Sequence, residues 1–383
     1  MIIANYLVAR MKVLHLVGSQ TSEYYYNVSA IYASGCIDAF PEIINIVLLA
    51  NLNGTWCLPK SMNDTNATDE LTLSEALQKL EASENKPDIL QPHMFCYQGL
   101  TAFRYIADML NIPILGSPGH VMALTTNKWQ SRAVVSSVDV SVPKAVLVKP
   151  GEPIDLPLPF LLKPAREDNS MGITLVQDFR ELDVALETAF QFDDLVLAEE
   201  FIPLGREIRV GVVECDKGSL EMLPCMEYFF HQKKLPIRTS LDKLNSSSDG
   251  KTLEFSPVDR ECPADIDSAL EEKLFDMACK AHRALECQHY SLYDVRVDPE
   301  GNPYFIEASP YCSFSPKSAL VMMSCGGKKF GYRDLFYRLV RKAIQDCKLP
   351  TSVSGKDLDK KEGKQKLGMR RRTCSPTSTV ETS

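Results

Sequence analysis

The sequence lacks three features that would place it in a familiar class of protein. Basic residues are not in excess, because 42 Lys and Arg stand against 50 Asp and Glu and give a formal net charge of -8. We therefore expect no nucleic-acid partner, since a phosphate backbone requires a broad basic face. The 12 cysteines form no CxxC pairs and the six histidines show no ligand spacing, so local spacing predicts no zinc site. No uninterrupted apolar run has the length of a membrane helix, and we expect no membrane association.

The first 18 residues are apolar, but Arg10 and Lys12 interrupt them and no small-residue cleavage site follows. We interpret this segment as the first strand of a fold, with a secretory signal peptide as the alternative. On this interpretation the cysteines are reduced thiols and the protein is cytoplasmic.

Apolar periodicity predicts an α/β chain that begins with a mostly parallel sheet. Strand-like and helix-like segments alternate through residues 1–123, which is typical of a parallel sheet flanked by helices. The predicted strands are 11–17, 43–49 and 87–90, and the predicted helices are 73–80 and 101–110.

Two further units follow, at residues 124–200 and 201–349. Their predicted elements are helices at 128–138 and 332–344 and strands at 145–148, 160–163, 195–201, 207–213, 291–297 and 303–307. Another helix is predicted with Pro263 in its first turn, because proline is favoured there. Its apolar residues, at Leu270, Leu274, Met277, Ala281 and Leu285, share one stripe.

The last segment, residues 350–383, is polar, charged and rich in Ser and Thr. It cannot bury enough apolar surface to fold alone, so we predict a disordered tail. A localisation signal at residues 370–372 and a phosphorylation site at Ser375 are the functional alternatives.

Two acidic residues end facing strands of a predicted hairpin. Asp294 lies in the strand YDVRVD, and Glu307 lies at the end of the strand that returns. Two carboxylates brought together across a ladder are unfavourable unless a cation lies between them. Magnesium fits, because it takes oxygen ligands, few of them from protein. The alternative is a pair of surface acids.

Two strand ends carry residues suited to a nucleotide. Lys163 ends an apolar strand and precedes a loop containing Ser170, so the lysine could reach a phosphate that the loop covers. The strand that ends in Glu199 and Glu200 continues into Phe-Ile-Pro-Leu-Gly-Arg and Glu207, a pattern that suits an adenosine. The alternatives are an ordinary surface hairpin and a charged strand terminus.

These segments occur in this order, with Lys128 upstream, and together they resemble the ATP-grasp superfamily. Within it the chain resembles the D-alanine–D-alanine ligases, from Met11 to about Lys348. The resemblance implies an α/β (α+β) ATP-grasp fold of three subdomains. An amino-terminal parallel sheet would be followed by two antiparallel sheets that enclose ATP.

The resemblance also implies a role for each matching residue. Phosphates would contact Lys128 and Lys163, and the loop at Ser170 would close over them. Adenine would lie at Glu199, Glu200 and Ile202, and Glu207 would hold the ribose. The metal ligands would be Asp294, Glu307 and Ser309, and the catalytic group would comprise Lys243 at the terminal phosphate, Ser318 near the acceptor carboxylate, and Arg296.

The implied activity is that of an Mg²⁺-ATP-dependent ligase, with Mn²⁺ as a substitute ion. A substrate carboxylate attacks the γ-phosphate to give an acyl phosphate and ADP, and an amine then attacks the acyl carbon. The substrates would be amino acids or small amines, and a homodimer would follow the family.

Several positions depart from the D-alanine–D-alanine ligase pattern. Leu292 replaces an arginine that stabilises the tetrahedral intermediate, and Ser309 replaces a metal-binding asparagine. Arg296, on the same strand face as Leu292, is a candidate for a partial substitute, although its matching position in the family lies nearer the adenine. In the family, three residues connect the amino-terminal domain, the phosphate loop and a mobile loop across the closed site. The aligned positions here, Asn27, Asn169 and Leu244, all carry other residues.

These departures lead us to expect a different acceptor or substrate from D-alanine. An ATP-binding pseudoenzyme with a scaffold or sensor role is the alternative, and another ATP-grasp activity such as a phosphotransferase is a third. Two further points stay open: His93 is either a substrate-domain residue or a structural one, and Tyr24–Tyr26 either line a cleft or pack in a loop.

Overall fold

The first sheet is built from apolar strands that alternate with helices. A computed structural model describes residues 11–348 apart from 63, 65–68, 83, 85, 150, 168–169, 216–217, 230–244, 247–252, 255–258 and 328–329. The strands of the first sheet are β1 Lys12–Gly18, β2 Ile44–Ala50, β3 Trp56–Cys57 and β4 Ile89–Pro92. Their order is β3-β2-β1-β4, and β1 pairs in parallel with both β2 and β4. The prediction of a mostly parallel sheet is therefore confirmed.

The helices that accompany this sheet are α1 Glu23–Ala39, α2 Leu73–Glu81, α3 Tyr97–Leu100, α4 Ile106–Met109 and α5 Gly119–Thr126. The predicted helix at 101–110 is helical over residues 102–109, but as a 3-10 turn at Ala102–Tyr105 followed by α4 and not as one α-helix. Thr101, at φ -117° and ψ -86°, lies outside it and separates it from α3. The 3-10 turn lets the buried side chain of Arg104 donate to the carbonyl of Ser117 at 2.7 Å.

A second, antiparallel sheet follows, with the order β5-β8-β6-β7. Its strands are β5 Ala145–Val148, β6 Phe160–Pro164, β7 Thr174–Val176 and β8 Val196–Glu200, and its neighbouring helices are α6 Lys128–Ser136 and α7 Leu182–Phe190. Ala185 and Ala189 of α7 lie in one core cluster with Phe160 and Val176, so the helix covers one face and leaves the other for a ligand.

The third sheet is also antiparallel and has the order β14-β11-β9-β15-β16, with β10 paired to β9. Its strands are β9 Arg206–Glu214, β10 Leu220–Met222, β11 Met226–Phe229, β14 Asp259–Glu261, β15 Tyr290–Val297 and β16 Pro303–Ala308, and a separate pair joins β12 Asn245–Ser246 to β13 Leu253–Glu254. The predicted hairpin of β15 and β16 is confirmed, and Asp294 lies directly opposite Glu307 in its register.

Helix α8, Ser268–Ala284, packs against the third sheet. The predicted start at Pro263 is wrong, because the side chain of Asp267 accepts a hydrogen bond from the backbone N–H of Leu270 and sets the N-cap there. Its apolar stripe is confirmed: the predicted residues are buried against β9, β15 and β16.

A single core joins the first sheet to the third. It includes Val13 of β1 and Phe40 after α1, which lie in one cluster with Leu292 of β15. The last helices, α9 Ala319–Gly326 and α10 Tyr332–Lys348, complete it, and Phe336 stacks on Phe40 with ring centroids 4.2 Å apart.

Residues as far as Cys347 belong to one compact unit. The subdomain boundaries near residues 123 and 200 stay predictions, and the predicted tail at 350–383 lies outside the described residues. Within the part of the chain that is described, no helix combines the length and the apolar character needed to cross a bilayer.

The N-cap of α8 gives a stability prediction. Asp267→Ala removes the carboxylate that accepts from Leu270, and we expect a loss of about 1 kcal/mol, measured from the shift of the urea unfolding midpoint. Asp267→Asn is the control, since its amide oxygen can accept the same bond. An alanine variant as stable as the parent would mean that the cap contributes nothing.

Candidate active site

A cavity of about 670 Å³ lies between the second and third sheets. Ten of the residues predicted from the sequence line it: Lys128, Lys163, Ser170, Glu199, Glu200, Ile202, Glu207, Asp294, Arg296 and Glu307. We call it the first cavity.

Lys163 and Glu199 form a buried ion pair on one wall of the first cavity. Lys163 lies on β6 and Glu199 on β8, and the two side chains are only 6% and 5% exposed. The neighbouring Glu200 points to the strand edge, where it accepts from the backbone N–H of Lys144 at 3.1 Å. The wall therefore offers a cation that is already desolvated, and such a charge acts strongly on an anionic group.

Arg296 lies at the opposite wall, with Glu207. Its guanidinium donates to the Glu207 carboxylate at 2.7 and 3.1 Å and to the carbonyl of Ile202 at 3.4 Å. The two strand positions are paired in the register of β9 and β15, so the contact follows from sheet geometry. These contacts place Arg296 beside the residues expected to hold the adenosine, which favours a nucleotide-binding role over a catalytic one.

Lys128 is the first residue of α6, whose N-cap is Asn127. Its Nζ donates to the carbonyl of Glu167 and lies 3.9 Å from the carboxylate of Glu307. Lys128 and Glu307 also line a second cavity of about 960 Å³, so the two cavities meet at this pair.

The carboxylates of Asp294 and Glu307 have the donor chemistry that Mg²⁺ prefers. They face the first cavity from opposed positions of β15 and β16, next to a register shift after Asp294. An ionised carboxylate has about four acceptor sites, so Asp294 can take a hydrogen bond at each oxygen and still ligate a metal. The residues present therefore fit a magnesium ion.

Arg209 is a site residue that the sequence reasoning missed. From β9 it donates to both oxygens of Asp294, at 2.6 and 2.8 Å, and its guanidinium lies 5.6 Å from the ring centroid of Tyr228. Burial opposes the charge of Arg209, but the nearby Asp294 outweighs it and raises the pKa of the arginine well above its usual value. The missed signal is period-two alternation, because Arg209 follows Glu207 by two positions and shares its face.

The second cavity is more aromatic than the first. Its lining includes Tyr25, Phe95, Tyr97 and Tyr311 together with Ser309, a predicted metal ligand. The tyrosine run at Tyr24–Tyr26 was expected either to line a cleft or to pack in a loop. It lies in the first turn of α1, and Tyr25 lines the second cavity.

The remaining predicted residues lie elsewhere. Ser318 is the buried N-cap residue of α9; its hydroxyl donates to the carbonyl of Ser315 at 2.8 Å and accepts from the thiol of Cys312. It is not among the residues that line either cavity. Lys243, Asn169 and Leu244 lie outside the described residues, and Asn27 is exposed on α1.

A cleft between two antiparallel sheets, with paired lysines and carboxylates, is the arrangement expected of an ATP-grasp enzyme. Residues 143–341, just over half of the chain, match the family model described as the D-ala D-ala ligase C-terminus. The chain belongs to this family, and it is an ATP-dependent ligase of the class that forms carbon–nitrogen bonds.

Curated D-alanine–D-alanine ligases are similar to this chain over more than half of its length. The D-alanine–D-alanine ligase of Geobacter sulfurreducens is 29% identical over 242 residues, which cover 61% of this chain and 70% of the relative. The D-alanine–D-alanine ligase of Citrifermentans bemidjiense is 27% identical over 241 residues, which cover 62% of this chain and 72% of the relative.

Solved structures share the ATP-grasp fold. The VanG D-Ala:D-Ser ligase of Enterococcus faecalis aligns with a TM-score of 0.69 and 22% identity, over 87% of this chain and 99% of that one. The D-alanine–D-alanine ligase of Bacillus anthracis complexed with ATP aligns with a TM-score of 0.64 and 18% identity, over 88% and 98%. The predicted fold is therefore confirmed.

The pairing of Arg209 with Asp294 gives a stability prediction. Arg209→Met leaves a largely buried carboxylate without its bidentate partner, and we expect a loss of about 3 kcal/mol in urea unfolding. The double variant with Asp294→Asn should recover part of that loss, which a double-mutant cycle measures. The exposed Arg283, replaced by Met, is the control. An equal effect of the two single methionine variants would contradict the pairing.

Proposed function

We propose that this protein joins the carboxylate of one small molecule to the amine of another, with ATP bound in the first cavity. The observation that carries the proposal is the convergence of ten predicted residues on one cavity, which meets a second cavity at Lys128 and Glu307. The second cavity would hold the reacting carboxylate and amine, so that both approach the γ-phosphate at the shared pair.

The proposed reaction has two steps. A carboxylate oxygen attacks the γ-phosphorus of ATP, the bond to the β–γ bridging oxygen breaks, and ADP leaves. The amine nitrogen then attacks the acyl carbon of the acyl phosphate, phosphate departs with the carbon–oxygen bond electrons, and the nitrogen loses a proton. Lys128 and Lys163 would offset the negative charge of the transferring group, the main need in phosphoryl transfer.

We further propose that Asp294 and Glu307 bind magnesium, with Ser309 as a third oxygen donor, and that Mn²⁺ can replace it. When bound, the ion would neutralise phosphate charge and orient the γ-phosphate. Ser309 lines the second cavity while the two acids line the first, which would put this donor set at the boundary.

Arg209 would supply a cation beside Asp294 that position 292 of β15 does not carry. Leu292, two residues before Asp294, is buried and apolar, whereas Arg209 reaches Asp294 from the neighbouring strand. We propose that Arg209 keeps the Asp294 carboxylate ionised and correctly oriented. Arg296 would help to bind the adenosine by orienting Glu207. Ser318 would act indirectly, by fixing the loop at Ser315 before α9.

We also propose that the acceptor is an amino acid or small amine other than D-alanine. Tyrosine and phenylalanine rings line the second cavity. Phe95 and Tyr311 meet edge to face with centroids 6.0 Å apart, which favours an organic group larger than a methyl.

A cytoplasmic location and a homodimer remain proposals. The cysteines of the described residues, which include nine in or near the core, are free thiols, and free thiols persist in reducing compartments.

The decisive experiment is a screen for ADP release. The purified protein is incubated with Mg²⁺-ATP and pairs drawn from amino acids and small amines, and mass spectrometry identifies the products. We expect one or more pairs to give stoichiometric ADP, phosphate and an amide. Nucleotide binding without ADP release from any pair would instead favour a binding protein.

Glu307→Gln should abolish turnover while leaving ATP binding nearly intact. The amide keeps the shape but removes a negative metal ligand, so we expect a rate loss of about a hundredfold or more. Glu300→Gln is the matched control, an exposed glutamate on the same hairpin. Turnover in Glu307→Gln equal to that of the control would remove Glu307 from the metal site. Nucleotide affinity is measured by calorimetry with Mg²⁺ present.

D-alanine alone should be a poor substrate. A pocket shaped for a larger group loses apolar contact with a methyl, which costs at least about tenfold in kcat/KM relative to the best pair. Competition between D-alanine and the best acceptor measures that ratio. Efficient formation of D-alanyl-D-alanine would refute the proposed difference in acceptor and leave the ligase proposal standing.

A further inference from the structure

Three potential metal ligands meet in the core behind the first sheet. His15 lies on β1, Cys36 on α1 and His93 just after β4, and each is at most 2% exposed. One ligand atom from each lies within 4.8 Å of the others. None of the three lines either cavity, so this cluster is separate from the active site.

The protonation of His15 is fixed by its neighbours. The side-chain nitrogen of Asn45 donates to the carbonyl of Ile43 at 3.1 Å, so the Asn45 oxygen accepts from Nε2–H of His15 at 2.7 Å. Burial lowers the pKa of His15 to about 4, and the ring is therefore neutral at pH 7. Its Nδ1 must then carry a lone pair, which points towards His93. An oriented histidine whose other nitrogen donates to an amide oxygen is typical of a metal ligand.

Nε2–H of His93 donates to Nδ1 of His15 at 2.8 Å, so both nitrogens are directed at one point, and a metal ion bound there would replace the shared proton. Burial, with His15 nearby, holds the pKa of His93 well below its usual value, so this ring is neutral as well. Its other nitrogen, Nδ1, has no hydrogen-bond partner among the described residues, and neither has the buried Oε1 of Gln91 on β4. The polar network around the two histidines is therefore not completed by the described protein groups alone.

Cys36 completes the group with a sulfur ligand. Burial raises the pKa of the Cys36 thiol, so the thiolate is unfavourable without a cation. A metal ion reverses this, because the thiol proton is released on binding. Two neutral imidazoles and one thiolate are a soft ligand set that suits Zn²⁺ or Cu⁺ and not Mg²⁺.

We propose that His15, Cys36 and His93 form a buried site for a thiophilic metal ion, distinct from the magnesium site. Zinc bonds of about 2.0–2.3 Å need donors roughly 3.3–3.7 Å apart, so small side-chain rotations would suffice. Such an ion would tie β1, α1 and β4 together and stiffen the wall behind the acceptor region. Gln91 already links that region by donating to the carbonyl of Cys312 at 3.0 Å. Sequence spacing does not predict this site, because its ligands come from three separate elements.

The test measures metal content and thiol protection in the full-length chain. The protein is incubated with Zn²⁺, excess ion is removed, and bound zinc is determined by mass spectrometry; Co²⁺ and Cu⁺ are tested in parallel. We expect one equivalent of Zn²⁺ in the parent and in Cys57→Ser, a buried cysteine of the same sheet, and loss of that equivalent in Cys36→Ser. Bound Co²⁺ should show a thiolate charge-transfer band.

If Cys36→Ser fails to fold, the site can still be tested by measuring the alkylation rate of Cys36 in the parent protein. Zn²⁺ at ten times its dissociation constant should slow alkylation of Cys36 about tenfold, because only the metal-free open form reacts, and should leave Cys57 unchanged. Absence of both Zn²⁺ and Cu⁺ from the parent, or equal protection of both cysteines, would overturn the site. Cu⁺ retained where Zn²⁺ is not would assign the site to copper. These outcomes do not depend on ligase activity.

Discussion

Compensation of buried charge is the constraint on which the active site depends. Two carboxylates on neighbouring strands, Asp294 and Glu307, face a cavity where water cannot fully solvate them. Removing such groups from water costs several kcal/mol each unless cations accompany them. Arg209 supplies one cation across the sheet and Lys128 another from the start of a helix, at 2.6 and 3.9 Å. The two carboxylates can therefore lie side by side, as a metal site requires, because cations from β9 and from the start of α6 contact them.

The same pairs connect the two cavities. Lys128 and Glu307 line both, so a γ-phosphate and a substrate carboxylate can meet without either leaving its own pocket. In the first cavity, one wall contains the ion pair of Lys163 with Glu199, and the opposite wall contains that of Arg296 with Glu207.

Much of this arrangement could be predicted because it is local in the sequence. Strand alternation places Asp294 opposite Glu307, and the order of the lysine and acidic segments indicates the fold. Arg209 was missed because its role depends on the partner strand rather than on its own segment. The start of α8 was misplaced because the carboxylate of Asp267 sets it and not the favoured position of a proline. His15, Cys36 and His93 come together through tertiary packing alone, which no spacing rule can show.

The central claim is that a substrate carboxylate attacks the γ-phosphate at the meeting point of the two cavities. Tracing the carboxylate oxygen tests it most directly. The donor carboxylate is labelled with ¹⁸O, the reaction is run with Mg²⁺-ATP and the acceptor, and the phosphate released is analysed by mass spectrometry. The account predicts one labelled oxygen in inorganic phosphate, with ADP as the nucleotide product. Label in AMP, or phosphate without label, would contradict it.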